Sequence, residues 1–275
     1  VPLAVAVPRT DADIKKLIDF ARENGASLIP RTAGTSLAGQ VVGSGIVVDV
    51  SKHFNQIIEI NAEEGWVWVQ PGIIRDDLNR ALAPHGVFFA PETSTANRAM
   101  IGGMIGNNSC GSNSVVYGST REHLLEVKTI LSNGESAHFG PTEVLQSDSP
   151  FVNELYATAQ KILSDEENRD RIAKEFPKPN IPRRNTGYAL DLLAQMQPFN
   201  QNGRLFNFCT LLAGSEGTLA FVTAAKLKLS PLPLEHRRLV VIHCQSIDES
   251  LRANLVALKH RPSACELMAH YILEA

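Results

Sequence analysis

The chain has 275 residues, 44% of them apolar, with 26 basic against 29 acidic side chains. That composition suits one large globular domain or two modest ones and excludes disordered, collagenous and low-complexity architectures. A formal charge of -3 without long single-sign blocks offers no nucleic-acid footprint, and the apolar runs are far too short to span a bilayer.

The first fifty residues alternate in period. Ala4-Val5-Ala6-Val7 is a short apolar run ended by Pro8. Thr10 then caps a helix, with Asp13 as a capping-box partner. Ile14, Leu17, Ile18 and Ala21 form its apolar stripe, and Asn24-Gly25 is its stop. Short strands follow at residues 27–30 and 46–50, separated by a loop of small residues. A hairpin is expected over residues 56–60 and 66–70, then a helix carrying Ile74, Leu78, Ala81 and Leu82. Residues 91–119 show little periodicity and are dense in Gly, Ser and Asn; a stretch of that length inside a compact domain is usually functional. A second hairpin spans residues 123–139 around Ser132-Asn133-Gly134. Helices are expected near residues 151–163 and 188–193, and strands near 208–212 and 218–229. Ser230-Pro231-Leu232-Pro233 reads as a boundary, followed by a new strand at 238–243, a helix at 246–260 and the start of a further strand at 265–270.

Cys110, Cys209, Cys244 and Cys265 are scattered, without the spacing of a disulfide framework, zinc ribbon or iron–sulfur knot. They read as reduced thiols of a cytoplasmic protein. The histidines, His236 and His243 near Cys244 included, read as ordinary residues, so no metal set is expected. The start at Val1-Pro2 has neither an initiator Met nor a basic n-region and reads as an internal cut, not a signal peptide.

Four segments carry candidate chemistry. The first, Arg31-Thr32-Ala33-Gly34-Thr35-Ser36-Leu37-Ala38-Gly39-Gln40, follows a strand directly and resembles a phosphate cradle of backbone amides and hydroxyls. Gly34 and Gly39 have P-loop spacing, but Gln40 replaces the lysine and a strand, not a helix, follows. The segment therefore argues against nucleoside-triphosphate hydrolysis; by itself it also reads as a surface turn. The second runs from Pro91-Glu92-Thr93-Ser94 to Ile101-Gly102-Gly103-Met104-Ile105-Gly106-Asn107-Asn108-Ser109-Cys110-Gly111. Its glycines weaken any helix or strand. Met104 and Ile105 within it indicate packing, so the glycines point to close approach of a flat or anionic ligand. Asn185-Thr186-Gly187-Tyr188 is the third, and Gly214-Ser215-Glu216-Gly217-Thr218-Leu219 the fourth. Ser215 lacks the first glycine of G-x-S-x-G, which argues against a serine hydrolase.

In this order and spacing the four segments resemble the FAD-binding domain of the vanillyl-alcohol oxidase / p-cresol methylhydroxylase (PCMH-type) superfamily. The similarity is greatest to its FAD-linked 2-hydroxy-acid dehydrogenases, the group of D-lactate dehydrogenase, the glycolate oxidase flavin subunit and D-2-hydroxyglutarate dehydrogenase. The resemblance implies an α+β fold of two lobes, residues 1–55 and 56–232, with residues 233–275 the truncated start of an α/β substrate domain. It implies that Arg31, Thr32, Ala33, Gly34, Thr35, Ser36 and Leu37 wrap the pyrophosphate of FAD. Pro91, Glu92, Thr93 and Ser94 would line the ribityl and ring region. Gly102, Gly103, Gly106, Asn107 and Asn108 would run along the dinucleotide, with Cys110, Gly111 and Ser112 beside them and Glu216 and Gly217 opposite. Arg184, Asn185 and Tyr188 would face the substrate. Relatives that tether FAD do so through a histidine where Thr35 stands here, which implies a non-covalent flavin. Oxidation of a 2-hydroxy acid would deliver electrons to a quinone, cytochrome, flavoprotein or iron–sulfur module. Any metal, iron–sulfur cluster and catalytic base would lie outside these residues. A sugar-alcohol or aldonolactone oxidase and a non-catalytic flavin-binding module remain as alternatives, and peripheral membrane attachment stays open.

Overall fold

Residues 1–181, 183–184 and 187–273 are described by the computed structural model. Strand β1 (Ala4–Ala6), helix α1 (Asp11–Glu23), β2 (Leu28–Arg31) and β3 (Ile46–Asp49) open the chain. The strands form a parallel sheet in the order β1-β3-β2. Helix α1 starts where the sequence places it: the Thr10 hydroxyl accepts from the Asp13 amide at 3.3 Å, and the Asp13 carboxylate accepts from the Thr10 amide at 3.0 Å. Such a cap contributes about 1 kcal/mol. Ile14 and Ala21 on the predicted stripe are buried, Ile14 in one cluster with Ile46, Val48, Val50 and Phe54.

The next elements are β4 (Ile57–Asn61), β5 (Trp66–Val69), α2 (Arg75–Leu82), β6 (Val87–Phe88), α3 (Ile101–Asn107) and α4 (Ser114–Tyr117). They are followed by β7 (Leu124–Ile130), β8 (Ser136–Phe139), α5 (Pro150–Ser164), α6 (Glu166–Glu175), α7 (Leu190–Leu193), α8 (Cys209–Leu212) and β9 (Phe221–Lys228). Both expected hairpins are present, and β9 runs between them, giving an antiparallel sheet in the order β4-β5-β9-β7-β8. Period-two alternation sorts its faces. Val67, Val69, Val127, Ala225 and Leu227 enter the main core with Leu78 and Leu82 of α2 and Ile101, Met104 and Ile105 of α3. The opposite face carries Lys226 over the Trp66 ring at 4.4 Å, with Glu126 accepting from Lys226 and His138 at 2.8 Å each. Ile130 and Phe221, from the large sheet, pack into the core of the small one, so the two sheets share a seam.

Several elements differ from the sequence reading. The glycine-rich run forms helix α3, because Ile101, Met104 and Ile105 recur at helical spacing and bury. Asn108 ends it in the left-handed conformation at φ 50°. Residues 208–212, expected as a strand, contain helix α8. The Asn207 side chain accepts from the Cys209 amide at 2.9 Å and starts the turn, and so short an apolar run fits either structure. Helix α6 was not expected; its mean hydropathy is low and Ile172 is its one buried side chain. Beyond β10 (Ser230–Pro231), which pairs with β6, residues 238–243 form no strand and are exposed. Residues 265–269 form no strand either, and α9 (Ile247–Leu258) buries none of its side chains.

Candidate functional site

A groove of about 420 Å³ lies where the loop after β2, the turn before α3, α3 itself and the loop before β9 meet. That volume falls in the usual range of small-molecule sites, about 300–1,000 Å³.

Each wall follows from local sequence. The first loop contributes Arg31, Thr32, Gly34, Thr35, Ser36 and Leu37, the last with its side chain fully exposed. Gly34 takes φ +66°, and a Cβ there would lie 2.6 Å from the Arg31 guanidinium, so only glycine lets Arg31 fold across this turn. Ser36 donates to the Gln40 side-chain oxygen, and Gln40 Nε2 donates to Glu216 Oε1 at 3.4 Å, joining the first and fourth segments at the edge of the groove. Thr93 and Ser94 line it from the second segment, with the hydroxyls of Thr93 and Thr95 in contact at 3.1 Å.

Helix α3 forms the floor. Its apolar stripe faces the core, and Gly102, Gly103 and Gly106 face the other way. A Cβ on Gly102 would meet Pro71 Cβ at 2.6 Å, and one on Gly103 would meet Thr32 Oγ1 at 2.8 Å. At Gly106 it would stand 3.6 Å from the Glu216 backbone. Three segments therefore approach one glycine face. The fourth segment is tied to that face by two backbone bonds, Gly214 N–H to Ile105 O at 2.9 Å and Glu216 N–H to Gly106 O at 3.0 Å. Asn107 and Gly217 also line the groove. Burial pushes the Glu216 carboxyl up, opposed by its hydrogen bond from Gln40.

Other candidate residues stand outside the groove lining. The Pro91 carbonyl accepts from Arg75 Nε at 3.1 Å. Glu92 accepts from Ser112 Oγ at 2.7 Å and from the Asn113 amide at 3.2 Å, and Gly111 leaves no room for a Cβ against Glu92. Buried Asn108 accepts from Ser119 Oγ and the Arg121 amide, both at 2.8 Å. Cys110 receives a hydrogen bond from Arg183 Nε at 3.1 Å. Ala33 is half-buried in the first loop. Arg184 pairs with Asp191 and borders a second cavity of about 130 Å³ with Arg121, Glu122 and Arg183. Tyr188 donates to Thr218 Oγ1 at 2.6 Å, since the Thr218 proton goes to Ser215 O. Asn185 lies outside the described residues. No group of three or more His, Cys, Asp or Glu that could hold a metal occurs among the described residues.

The sequence reading missed Gln40, Thr95, Ser109 and Ser215 as lining residues. Gln40 and Ser215 stand inside the first and fourth segments, where each breaks the pattern of another motif. Arg121 was missed altogether; a single arginine beside Glu122 and His123 reads as solvated surface.

The groove suits a long, anionic, partly flat group. Gly102, Gly103 and Gly106 lie along its floor, its first loop offers hydroxyls and Arg31, and Glu216 is the one acidic side chain among the described lining residues.

Residues 2–140 match the family described as FAD binding domain. D-2-hydroxyglutarate dehydrogenase of Escherichia coli is 42% identical over 91% of this chain and 24% of its own length. Glycolate oxidase subunit GlcD of Bacillus subtilis is 29% identical over 97% of this chain and 45% of its own. The chain thus spans about a quarter of the length of the dehydrogenase and under half that of the oxidase subunit. A solved structure of alkyldihydroxyacetonephosphate synthase superposes with a TM-score of 0.53 at 16% identity, covering 83% of this chain and 34% of that one, which shows the shared fold. The chain belongs to the FAD binding domain family, with the α+β, PCMH-type fold.

Proposed function

We propose that the chain holds FAD, non-covalently, for an oxidoreductase that oxidises a 2-hydroxy acid and passes the electrons to a non-nicotinamide acceptor. The groove carries this reading, because the hydroxyls and Arg31 of the first loop face α3 across it, with Gly103 and Asn107 along its floor and Glu216 and Gly217 opposite. The names of the relatives supply the substrate class. When bound, FAD would supply the hydride acceptor for oxidation of the hydroxyl-bearing carbon to a 2-oxo acid, the hydroxyl proton passing to a base.

The chain's own residues bind and orient. Backbone amides and the hydroxyls of Thr32, Thr35 and Ser36 hold the pyrophosphate, with Arg31 offsetting its charge. Gly102, Gly103 and Gly106 let the dinucleotide lie against α3. Thr93, Ser94 and Asn107 fix its polar edges, and the loop bearing Glu216 and Gly217 closes the far side. Arg184, engaged with Asp191, orients the turn that carries Tyr188 on the substrate side. No residue of the chain is assigned as the base.

The test is anaerobic mixing of the whole protein carrying this chain, FAD-loaded, with D-2-hydroxyglutarate, D-lactate and D-malate. Rapid bleaching of the flavin by at least one of them is expected, with no change on adding NADH in its place. Bleaching only by sugar alcohols or aldonolactones would overturn the substrate class.

A further inference from the structure

We propose that Arg121 is a positioning residue. Its buried guanidinium clips the loop at residues 213–217 and the Gly187 turn against the end of α3, fixing one wall of the cofactor groove. The proposal rests on the FAD reading above.

The side chain lies in the core, with the residue only 6% exposed. Nε donates to Thr210 O at 3.0 Å and Ala213 O at 3.2 Å, and Nη2 donates to Ala213 O and to Gly187 O, the latter at 2.9 Å. Its own amide donates to Asn108 Oδ1 at 2.8 Å, the residue that ends α3. One residue therefore meets the second segment at Asn108, the third at Gly187 and the residue directly before the fourth.

These acceptors are backbone carbonyls of loops and of the short helix α8; none belongs to the five-stranded sheet. The neighbouring carboxylates are engaged elsewhere: Glu122 accepts from the Ser119 amide and hydroxyl, and Asp191 pairs with Arg184. A buried cation needs its hydrogen bonds met; here Thr210, Ala213 and Gly187 carbonyls take Nε and Nη2, and Arg184 O accepts from Nη1 at 3.5 Å. The carbonyls are spaced for a planar fork, which an ammonium does not reproduce.

The link to the groove is one residue long. Ala213 O is held by Arg121, and the next amide, that of Gly214, donates to Ile105 O of α3. Gly214 sits at φ +94°, and a Cβ there would lie 2.7 Å from Arg121 Nη2 and 3.1 Å from Gly187 O. Glycine at 214 is thus needed for the guanidinium to reach both loops. Ser215, Glu216 and Gly217 follow directly and line the groove. Arg121 lies outside the groove lining, so releasing the clip frees the wall without removing a lining side chain.

Arg121→Lys keeps the charge and removes the fork. Two measurements are made: FAD affinity, and amide hydrogen exchange of the chain without flavin. We expect exchange to speed at least about tenfold in peptides covering 187–193 and 212–218, with peptides of β7 and β9 unchanged, and FAD affinity to fall at least about tenfold. Arg121→Gln, which keeps two donors without the charge, is run in parallel and carries the comparison if the lysine variant does not fold. Unchanged exchange in the wall overturns the proposal, as does equal loosening of wall and sheet, failure of both variants to fold, or a loosened wall with full FAD affinity. A parent chain that binds no FAD contradicts the FAD reading instead, and the exchange arm still tests the clip.

Discussion

Two glycine-rich segments border the groove, and they use glycine for different physical reasons. In the loop after β2, Gly34 and Gly39 take φ +66° and +84°, conformations that a side chain resists. In α3, Gly102, Gly103 and Gly106 are helical, so conformation gives no reason for them. There the absent Cβ serves approach, since Pro71 and Thr32 come where side chains would stand at Gly102 and Gly103, and the Glu216 backbone lies within contact distance at Gly106. The helix survives its glycines because its other face buries Ile101, Met104 and Ile105. Packing supplies what propensity withholds.

Gly103→Val is the sharpest way to break that contrast. Valine and glycine are both poor helix formers, so the fold should remain, but the new side chain meets Thr32 and projects into the groove. FAD affinity should fall at least about a hundredfold while far-UV circular dichroism stays near the parent. Parent-like affinity would place Gly103 away from the ligand.

Gly34→Ala addresses the other kind of glycine. Here the cost is conformational, roughly 1–2 kcal/mol for a left-handed alanine, with the Arg31 head group also displaced. Urea unfolding should show that loss, and FAD binding should weaken less than in Gly103→Val. The reverse order of binding effects would exchange the roles assigned to the two segments.

A smaller effect separates the segments by pH. The turn that anchors the end of α3 contains His123, whose Nδ1 donates to Ser119 O at 3.1 Å and whose ring meets Phe89 edge-on. Burial holds this imidazole below its ordinary value, opposed by the Ser119 contact and by Glu122. The folded state then binds fewer protons than the unfolded one below about pH 6.5, so stability falls as pH drops through that value and levels off below the folded pKa. Melting temperature should decline between about pH 7.5 and 5.5, and less steeply in His123→Phe. Equal slopes would show that His123 does not report on this turn.

Sequence legibility followed the locality of the signal. Thr10 and Asp13 announce a helix start within four residues, and both hairpins lie within one turn of their strands. Nothing local announces that Ile130 and Phe221 cross to the small sheet's core, or that Arg121 reaches Ala213 and Gly187, 92 and 66 residues away. Of the candidate site, the glycines and the hydroxyls of the first loop were visible as motifs. Glu92 and Asn108 were visible too, but their side chains point to neighbouring loops, and the motif alone does not distinguish a ligand contact from a loop cap.

The central claim is that the groove holds FAD without a covalent bond, since a threonine hydroxyl at position 35 forms no flavin tether under ordinary conditions. The direct measurement is to load the purified chain with a mixture of FAD and FMN, remove free flavin, precipitate with acid and identify what stays in solution. FAD in the supernatant with a colourless pellet is the predicted result. FMN as the retained flavin, or a pellet that stays yellow, would contradict the account.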